Sequence, residues 1–352
     1  MKTRIAINGF GRIGRNAFRV AFERDDIEVV AVNDLTDTKT LAHLLRHDTV
    51  YGAYNKQIEY DENSINVNGK SVKVFAQNDI ALLPWGDLGI DIVIEATGLF
   101  TDPLDAKAHI NPARAKKVII TAPVKEGAET IVIGANEDKL ADAGDIISNA
   151  SCTTNCIAPV IDVIKNNFGV QKAMMTTVHS YTASQKLQDG PAKDLRESRA
   201  AAVNIVPTST GASIATVKTI PELEGKFSGL SIRVPTPVVS LADFVILTEK
   251  DTTIQQLNEV LKNTAREPYY QGILATTEEE LVSSDFIGNS HSAIIDLKLT
   301  DVVGGNLIKV VAWYDNEWGY SNRLIELAAD LGRLLNKETP DNNYPGPEEA
   351  HI

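Results

Sequence analysis

The sequence predicts an α/β protein built in two parts: a doubly wound domain with a parallel sheet, then an α+β domain with a largely antiparallel sheet. Short runs rich in valine and isoleucine alternate with helical patterns over residues 1–150, which is typical of a parallel sheet covered on both faces. A glycine-rich turn joins the first run to the first helical pattern. Longer strand patterns over 227–249 and 306–315 favour antiparallel pairing in the second part.

The composition is that of an ordinary globular protein. The chain has 352 residues, of which 43% are hydrophobic and 23% charged, so it is long enough for two domains with a substantial core. A formal charge of -13 repels polyanions, so we expect no nucleic-acid or anionic-membrane binding. No apolar run reaches the roughly 18 to 20 residues of a membrane span. Two cysteines and no apparent secretory signal predict a cytoplasmic protein.

A glycine pattern lies between the first strand and the first helix. Gly9, Gly11 and Gly14 form G-x-G-x-x-G between the strand at 5–7 and a helical pattern. In a Rossmann-type site the first glycine makes the tight turn, the second lets the backbone approach a pyrophosphate, and the third lets the helix pack closely. The pattern therefore predicts a dinucleotide-binding domain.

An acidic residue ends the next apolar run. Asp34 lies about twenty residues past Gly14, where such sites place a carboxylate that accepts a hydrogen bond from the ribose 2′-hydroxyl. The same carboxylate would repel a 2′-phosphate, so it predicts NAD rather than NADP. Alone, Asp34 could be an ordinary solvated residue at a strand end. Together with the three glycines it predicts NAD binding.

Two further apolar runs, 91–98 and 117–123, read as short buried strands. Small or polar residues end them, and the carboxyl ends of parallel strands are where an open sheet receives its ligand. The residues that end the two runs are Thr97, Gly98, Thr121 and Ala122. For each of them, an ordinary turn at a strand end is the alternative to a ligand contact.

Both cysteines lie in NASCTTNCIAP, residues 149–159. The pattern predicts a strand over 145–148, a turn, and a helix from about Cys152 to Phe168. Residues four apart on a helix have β-carbons roughly 5 to 6 Å apart, beyond the roughly 3.5 to 4.5 Å of a disulfide. Nearby second ligands for a metal are missing. We therefore expect Cys156 in the buried core and no metal site.

Cys152 has the position of a nucleophile. Ser151 is a suitable N-cap, which puts Cys152 in the first helical turn, where amide hydrogens and the helix dipole favour a thiolate. Its base is predicted to be His179, which ends the apolar strand AMMTTVHS and begins a polar loop. A satisfied core histidine is the alternative. The other histidines have less suitable settings: helical, polar surroundings for His43, His47 and His109, a polar stretch for His291, and the C-terminal tail for His351.

Six segments together resemble one enzyme family, in order from residue 3 to about 335. They are INGFGRIGR, ASCTTNCI (150–157), TTVHSYT (176–182), PTSTGA (207–212), RVPTPVVS (233–240) and WYDNEWGYS (313–321). The chain resembles the phosphorylating, NAD-dependent glyceraldehyde-3-phosphate dehydrogenases of type I. The resemblance implies the glycolytic or gluconeogenic oxidation of glyceraldehyde 3-phosphate, with NAD and inorganic phosphate, to 1,3-bisphosphoglycerate and NADH. It also implies a homotetramer.

The resemblance assigns roles to single residues. Cys152 forms a thiohemiacetal and then a thioester, and His179 acts as the acid and base, its imidazolium also stabilising the thiolate. Two anion pockets are implied. The pocket for the substrate phosphate comprises Thr182, Arg196 and Arg233, and Arg199 is a second choice to Arg196. The pocket for the attacking phosphate comprises Ser151, Thr153, Thr210 and Gly211.

The implied cofactor contacts extend beyond the glycine pattern. Arg12 and Ile13 would give backbone amides to the pyrophosphate, and Asn316 would fix the nicotinamide carboxamide, with Tyr320 nearby. The long polar connection 181–203 would pack between subunits, and Gly190 and Pro191 within it resemble the NAD-type pattern. One departure is Asn78, which stands where many relatives have a basic residue near the adenine.

The resemblance also divides the chain. Residues 1–150 are expected to form the NAD-binding domain, to which a helix at 318–335 returns, and 151–317 the catalytic domain. Residues 336–352 outrun the family's usual end and read as a disordered tail. Erythrose-4-phosphate dehydrogenase is an alternative activity that shares the cysteine and histidine. A non-enzymatic NAD-binding regulator is disfavoured, because both side chains and both phosphate pockets are intact.

Overall fold

The computed structural model describes residues 2–337 and confirms the α/β class. Two large sheets carry the described part of the chain, one with nine strands and one with eight. The last helix runs to Lys337, two residues into the segment predicted as a tail. The remaining residues of that segment, 338–352, lie outside the described residues.

The first sheet is parallel through most of its width, as predicted. Its strand order is β10-β11-β9-β8-β1-β2-β7-β6-β5; only the β5–β6 and β6–β7 pairs are antiparallel. A separate two-stranded ribbon joins β3 to β4. The strands are β1 (Thr3–Asn8), β2 (Ile27–Asn33), β3 (His47–Asp48), β4 (Gly52–Ala53), β5 (Ile58–Tyr60), β6 (Ser64–Val67), β7 (Lys70–Phe75), β8 (Ile92–Glu95), β9 (Lys117–Ile120), β10 (Glu129–Thr130) and β11 (Ile146–Ser148).

The second sheet is largely antiparallel, again as predicted. Its order is β13-β14-β12-β15-β19-β17-β16, with β18 paired to β19; the β12–β14 and β16–β17 pairs are parallel. The strands are β12 (Lys172–Ser180), β13 (Val206–Thr208), β14 (Phe227–Val234), β15 (Ser240–Leu247), β16 (Leu274–Thr277), β17 (Ala293–Asp296), β18 (Asp301–Val303) and β19 (Leu307–Tyr314).

Seven α-helices cover the sheets within residues 2–337, and none of them is long and apolar enough to cross a membrane. They are α1 (Arg12–Phe22), α2 (Thr38–Arg46), α3 (Pro103–Ala106), α4 (Cys152–Phe168), α5 (Ala212–Thr219), α6 (Ile254–Thr264) and α7 (Trp318–Lys337).

Helix α4 links the two sheets. It follows β11 of the first sheet and packs against β15, β17 and β19 of the second. It begins at Cys152, as predicted, because the Ser151 hydroxyl accepts the Thr154 amide at 3.0 Å. It ends at Gly169, whose φ of +72° favours glycine. Most of its residues are buried in one hydrophobic core that reaches both sheets, so the first turn of α4 is held rigidly.

Helix α7 carries the chain back to the first sheet, where it packs against α1 and β1. A close approach requires Gly332, because a β-carbon there would lie 1.9 Å from the Thr3 hydroxyl oxygen. The start of α7 therefore lies near the second sheet, directly after β19, while its later turns lie on the first sheet.

Candidate active site

The glycine turn after β1 is sterically constrained. Gly9 has φ +93°, and a β-carbon there would lie 2.6 Å from the Thr97 amide nitrogen. A β-carbon on Gly14 would lie 2.0 Å from the Gly9 carbonyl oxygen. Gly11 is different, because nothing lies within 4 Å of a β-carbon built there. Two glycines thus allow strand, turn and helix to pack, and the third leaves open space over the turn.

A cleft opens above this turn at the carboxyl ends of β1, β2 and β8. Gly11 is the N-cap of α1 and supplies no side-chain hydrogen bond, so the first amides of this helix, Arg12 and Ile13 among them, have no side-chain cap. Unpaired amides and the positive end of the helix dipole suit a pyrophosphate. The residues present therefore fit a dinucleotide. The cleft is lined by Gly9, Gly11, Asn33, Asp34, Leu35, Gln77, Asn78, Ile80, Thr97, Leu99 and Phe100, among others.

Asp34 lies at one end of this cleft with a fixed carboxylate. One oxygen accepts the Phe10 amide at 2.9 Å and the other accepts the Thr36 amide at 3.0 Å. These bonds tie the acidic side chain to the glycine turn. Asn78 lines the same cleft. The cleft therefore has an uncharged side chain at the position where the resemblance implies a basic residue in many relatives.

The Arg12 side chain turns away from a possible pyrophosphate. Its guanidinium bonds Glu317 at the start of α7, with Nη2–Oε2 at 2.5 Å, and also bonds Asp48. Because both acids hold the guanidinium, only the backbone of Arg12 is free for the cofactor contact predicted for it.

Cys152 and His179 come together at the junction of the two sheets. Cys152 opens α4, His179 is the second-last residue of β12, and Cys152 Sγ lies 3.5 Å from His179 Nε2. The second cysteine, Cys156, is fully buried in the core, as predicted. One thiol therefore faces a histidine, whereas the other is packed among apolar side chains.

The neighbours of His179 affect which nitrogen carries its proton. Nδ1 lies 2.7 Å from the Ser180 carbonyl oxygen and 2.5 Å from Arg233 Nη1. A carbonyl oxygen only accepts and a guanidinium only donates, so the two contacts of Nδ1 require opposite tautomers of the neutral ring. Arg233 Nη1 donates to the same carbonyl at 3.3 Å. In the tautomer whose Nδ1–H donates to the Ser180 carbonyl, Nε2 is unprotonated and faces the sulfur, as a general base requires.

Burial opposes the ionisation of each partner by itself. Burial, aided by the positive charge of Arg233, lowers the pKa of His179 to about 3. Burial also raises the pKa of the Cys152 thiol, while Arg233 acts in the opposite direction. Both pKa shifts arise without a charge on the other member of the Cys152–His179 pair. Moving the proton from sulfur to nitrogen creates opposite charges about 3.5 Å apart, and their attraction counteracts the cost of burying them.

The residues predicted for the substrate phosphate lie at and beyond the carboxyl end of β12. Arg233 contacts His179 directly, and Thr182 lines a second cleft beside Arg12 and Glu317. Arg196 is exposed on the long connection, with no side-chain hydrogen bond or ion pair among residues 2–337.

Arg199, the second choice for that pocket, is already paired. Its Nε lies 2.8 Å from a carboxylate oxygen of Asp189 within the same connection. This pairing distinguishes it from Arg196.

The residues predicted for the attacking phosphate stand at the starts of α4 and α5, two helices that pack together. Ser151 caps α4, and the hydroxyl of Thr153 bonds Tyr314 at 2.9 Å. Gly211 is the N-cap of α5, and the Thr210 hydroxyl accepts the Ala212 amide at 3.1 Å.

The remaining predicted cofactor residues lie around Cys152 and β9. The Tyr320 hydroxyl donates to the Ala150 carbonyl at 3.3 Å, and Asn316 accepts from Ser180 at 2.9 Å. Thr121 follows β9, with its amide bonded to the Glu95 carbonyl at 3.0 Å.

Comparison with known proteins decides the family. Residues 3–103 match the family model described as glyceraldehyde 3-phosphate dehydrogenase, NAD binding domain, and 151–316 match its C-terminal domain. The chain belongs to the glyceraldehyde-3-phosphate dehydrogenase family. It therefore carries this family's NAD-binding domain.

Similar proteins come from several bacteria, and the match covers nearly all of each relative. Glyceraldehyde-3-phosphate dehydrogenase of Thermotoga maritima is 54% identical over 325 residues, covering 92% of this chain and 97% of the relative. Glyceraldehyde-3-phosphate dehydrogenase 1 of Bacillus cereus is 52% identical over 328 residues, covering 93% and 98%. The enzyme of Borreliella burgdorferi is 49% identical over 333 residues, covering 93% and 99%.

One buried network at the NAD-binding domain of this family member was missed in the sequence. Glu95 accepts four hydrogen bonds: from Asn8, from His109 Nε2 at 3.0 Å, and from both the amide and the hydroxyl of Thr97 in the cofactor cleft. Trp85 donates to His109 Nδ1 at 3.0 Å. Four donors fit an ionised carboxylate, which holds Thr97 beside the glycine turn.

His109 ends a short 3-10 helix, Lys107–His109, but the expectation of polar surroundings for it was wrong. Its side chain is completely buried, because Trp85 and Glu95 satisfy both ring nitrogens. A usable signal existed in the sequence: Asn8 and Glu95 are polar residues that each directly follow three apolar residues and end a strand.

Proposed function

We propose that this protein oxidises D-glyceraldehyde 3-phosphate, with NAD and inorganic phosphate, to 1,3-bisphosphoglycerate and NADH in glycolysis or gluconeogenesis. The observation that carries the proposal is the pairing of Cys152 Sγ with His179 Nε2 at 3.5 Å, beside the glycine turn of an NAD-binding domain. The names of the relatives support the same activity.

The two side chains perform the covalent steps. The sulfur of Cys152 attacks the aldehyde carbon, and the carbonyl oxygen takes the thiol proton through His179 Nε2, giving a thiohemiacetal. NAD, when bound, supplies the acceptor for the hydride of that carbon. His179 Nε2 removes the hydroxyl proton, so the acyl group stays on Cys152 as a thioester. An oxygen of inorganic phosphate then attacks the acyl carbon, the bond from this carbon to sulfur breaks, the acyl phosphate leaves, and the proton held by His179 returns to the sulfur.

Two phosphate groups need separate pockets in this reaction. For the substrate phosphate we assign Thr182, Arg196 and Arg233, since the guanidinium of Arg196 is unpaired in the described part of the chain and Arg233 adjoins His179. For the attacking phosphate the assigned residues share the starts of α4 and α5. They are Ser151, Thr153, Thr210 and Gly211.

The cofactor is assigned to the cleft above the glycine turn. Its pyrophosphate meets the first amides of α1, and its adenosine ribose meets Asp34, which favours NAD over NADP. Its nicotinamide meets Asn316, with Tyr320 and Thr121 nearby. The domains are assigned as residues 1–150 with the returning helix 318–335, and 151–317, and the protein is assigned to the cytoplasm.

A homotetramer is part of the proposal. The second sheet exposes apolar side chains on one face. Met174 of β12 lies directly opposite Val245 of β15, and Leu230 of β14 lies directly opposite Thr176, two residues along β12 from Met174. The connection 181–203 also exposes Leu187. Apolar faces of this kind are typical of surfaces covered by another subunit.

Steady-state formation of NADH tests the activity. We expect efficient oxidation of glyceraldehyde 3-phosphate, weaker oxidation of erythrose 4-phosphate, and many turnovers only when inorganic phosphate is present. A higher kcat/KM for erythrose 4-phosphate would assign the alternative dehydrogenase activity. NAD binding without oxidation of either aldehyde would contradict an enzymatic function.

A further inference from the structure

Two buried serines hold the side chain of Asn316 from one side. Ser180 Oγ lies 2.9 Å from Asn316 Oδ1, and Ser240 Oγ lies 3.0 Å from the same oxygen. The three residues come from the end of β12, the start of β15 and the segment between β19 and α7. All three are almost completely buried, so these contacts lie inside the protein.

The direction of the hydrogen bonds determines the orientation of the amide. Ser240 Oγ already accepts the Ser180 backbone amide at 3.1 Å, so its hydroxyl hydrogen is free to donate to Asn316. The Ser180 hydroxyl converges on the same atom. Asn316 Oδ1 can only accept, so both hydroxyls donate to it. Asn316 Nδ2 therefore points away from the serines, and it has no hydrogen-bond partner among residues 2–337.

The backbone at Asn316 is fixed independently of the serines. Asp315 accepts the amides of Glu317 at 3.0 Å and Trp318 at 2.8 Å, and the Tyr51 hydroxyl at 2.8 Å. The serine hydroxyls are therefore not needed to start α7. Their specific effect is on the rotation of the Asn316 side-chain amide. This amide lies next to Ser180, the residue that follows His179 in the chain.

We propose that Ser180 and Ser240 are positioning residues that lock the Asn316 amide with its NH₂ group facing the nicotinamide of NAD, and so select the face of the ring presented to the substrate. This inference rests on the proposed function, in which Asn316 meets the nicotinamide. An unlocked amide could present its oxygen or its nitrogen, and the ligand could match the change by turning the nicotinamide ring about its glycosidic bond, which presents the opposite face.

Calorimetric titration with NAD and with ADP-ribose separates this role from a general structural one. ADP-ribose has the same adenosine and pyrophosphate but no nicotinamide. We expect the Ser180→Ala variant to bind NAD about 3- to 10-fold more weakly, the effect of one lost hydrogen bond, with unchanged affinity for ADP-ribose. The double variant with Ser240→Ala should lose more NAD affinity and transfer a measurable fraction of deuterium to the opposite face of the cofactor ring.

Ser231→Ala is the matched control, since Ser231 is buried in the same sheet and its hydroxyl has no partner among the described residues. It should bind both ligands like the wild type. A parallel loss of NAD and ADP-ribose affinity in Ser180→Ala, or no loss of either, would overturn the proposal. So would a wild-type protein that binds both ligands equally. The binding readout is independent of turnover, so an inactive protein would refute the function without deciding this inference.

Discussion

The proton shared by Cys152 and His179 is the central question among single residues. A His179 pKa lowered from 6.5 to about 3 corresponds to about 5 kcal/mol against the imidazolium. Opposite charges 3.5 Å apart attract by about 5 kcal/mol at an effective dielectric constant near 20. The start of α4 adds about 0.3 to 1 kcal/mol in favour of the thiolate. The attraction between the two charges therefore offsets the cost of protonating His179, while the burial of the Cys152 thiol still opposes the transfer of its proton.

The His179→Asn variant tests this balance. Without the imidazolium, burial is left as the main influence, so the pKa of the Cys152 thiol should rise above its usual value near 8.5. A raised thiol pKa means less thiolate at pH 7, so alkylation by iodoacetamide should slow. Turnover should fall by a further factor of about 10² to 10⁴ with the loss of acid–base catalysis.

The control for that experiment is His43→Asn, the same change on an exposed position of α2. Its alkylation rate as a function of pH should match the wild type. If the thiol of His179→Asn titrates as in the wild type, the helix terminus alone activates Cys152 and the ion pair has no role.

Asp34 is expected to control the choice between NAD and NADP. Asp34→Asn keeps an oxygen that can accept the Phe10 amide but removes the negative charge. The variant no longer repels the 2′-phosphate of NADP, an effect of roughly 1 to 3 kcal/mol on binding. The ratio of kcat/KM with NAD to kcat/KM with NADP should therefore fall by about 5- to 150-fold. Equal efficiencies with both cofactors in the wild-type protein would refute the assignment of Asp34.

At the scale of elements, the glycine turn separates packing from ligand binding. Gly14→Ala would place a β-carbon 2.0 Å from the Gly9 carbonyl oxygen, so α1 would have to shift from β1 and the melting temperature should fall. Gly11→Ala finds open space in the structure and should keep the melting temperature. It should still weaken NAD binding, because a methyl group enters the space assigned to the pyrophosphate.

Thermal unfolding and NAD titration of both variants provide the comparison. The expected pattern is a large stability loss for Gly14→Ala and a selective affinity loss for Gly11→Ala. Full NAD affinity in a stable Gly11→Ala protein would contradict the assigned position of the pyrophosphate.

Elements with strong local signals could be predicted from the sequence. Helix α4 runs over Cys152–Phe168 as expected, because a serine cap, regular apolar spacing and a final glycine all lie within it or next to it. At the polar edge of the first sheet, the sequence analysis missed a local signal: Asn68 and Gly69, both with positive φ, form the two-residue turn between β6 and β7. Only the parallel pairing of β7 with β2, which attaches this edge to the rest of the sheet, joins distant segments.

The site shows the same limit. Cys152, His179 and the glycines stand out by their local setting, whereas the burial of His109 depends on Trp85 and Glu95, which are 24 and 14 positions away. The serine contacts of Asn316 join residues 136 and 76 positions apart. Contacts between distant segments require the fold.

For the whole molecule, the exposed face of the second sheet is expected to hold subunits together. Val245→Glu puts a charge on this face, opposite Met174, which is 71% exposed in the single chain. Burying an unpaired carboxylate is costly, so the variant should sediment as a smaller species than the wild type. Leu104→Glu, on α3, is the control and should leave the mass unchanged. A wild-type monomer would contradict the proposed homotetramer.

The central claim is that Cys152 carries the acyl group during turnover, and mass spectrometry of the intact protein and its peptides tests it most directly. The protein is mixed with glyceraldehyde 3-phosphate and NAD without inorganic phosphate, then quenched in acid. We predict a phosphoglyceroyl adduct on Cys152 that disappears when phosphate is added, is absent in Cys152→Ser, and persists in Cys156→Ser. An adduct on Cys156, or NADH formation with no adduct on Cys152, would contradict the account.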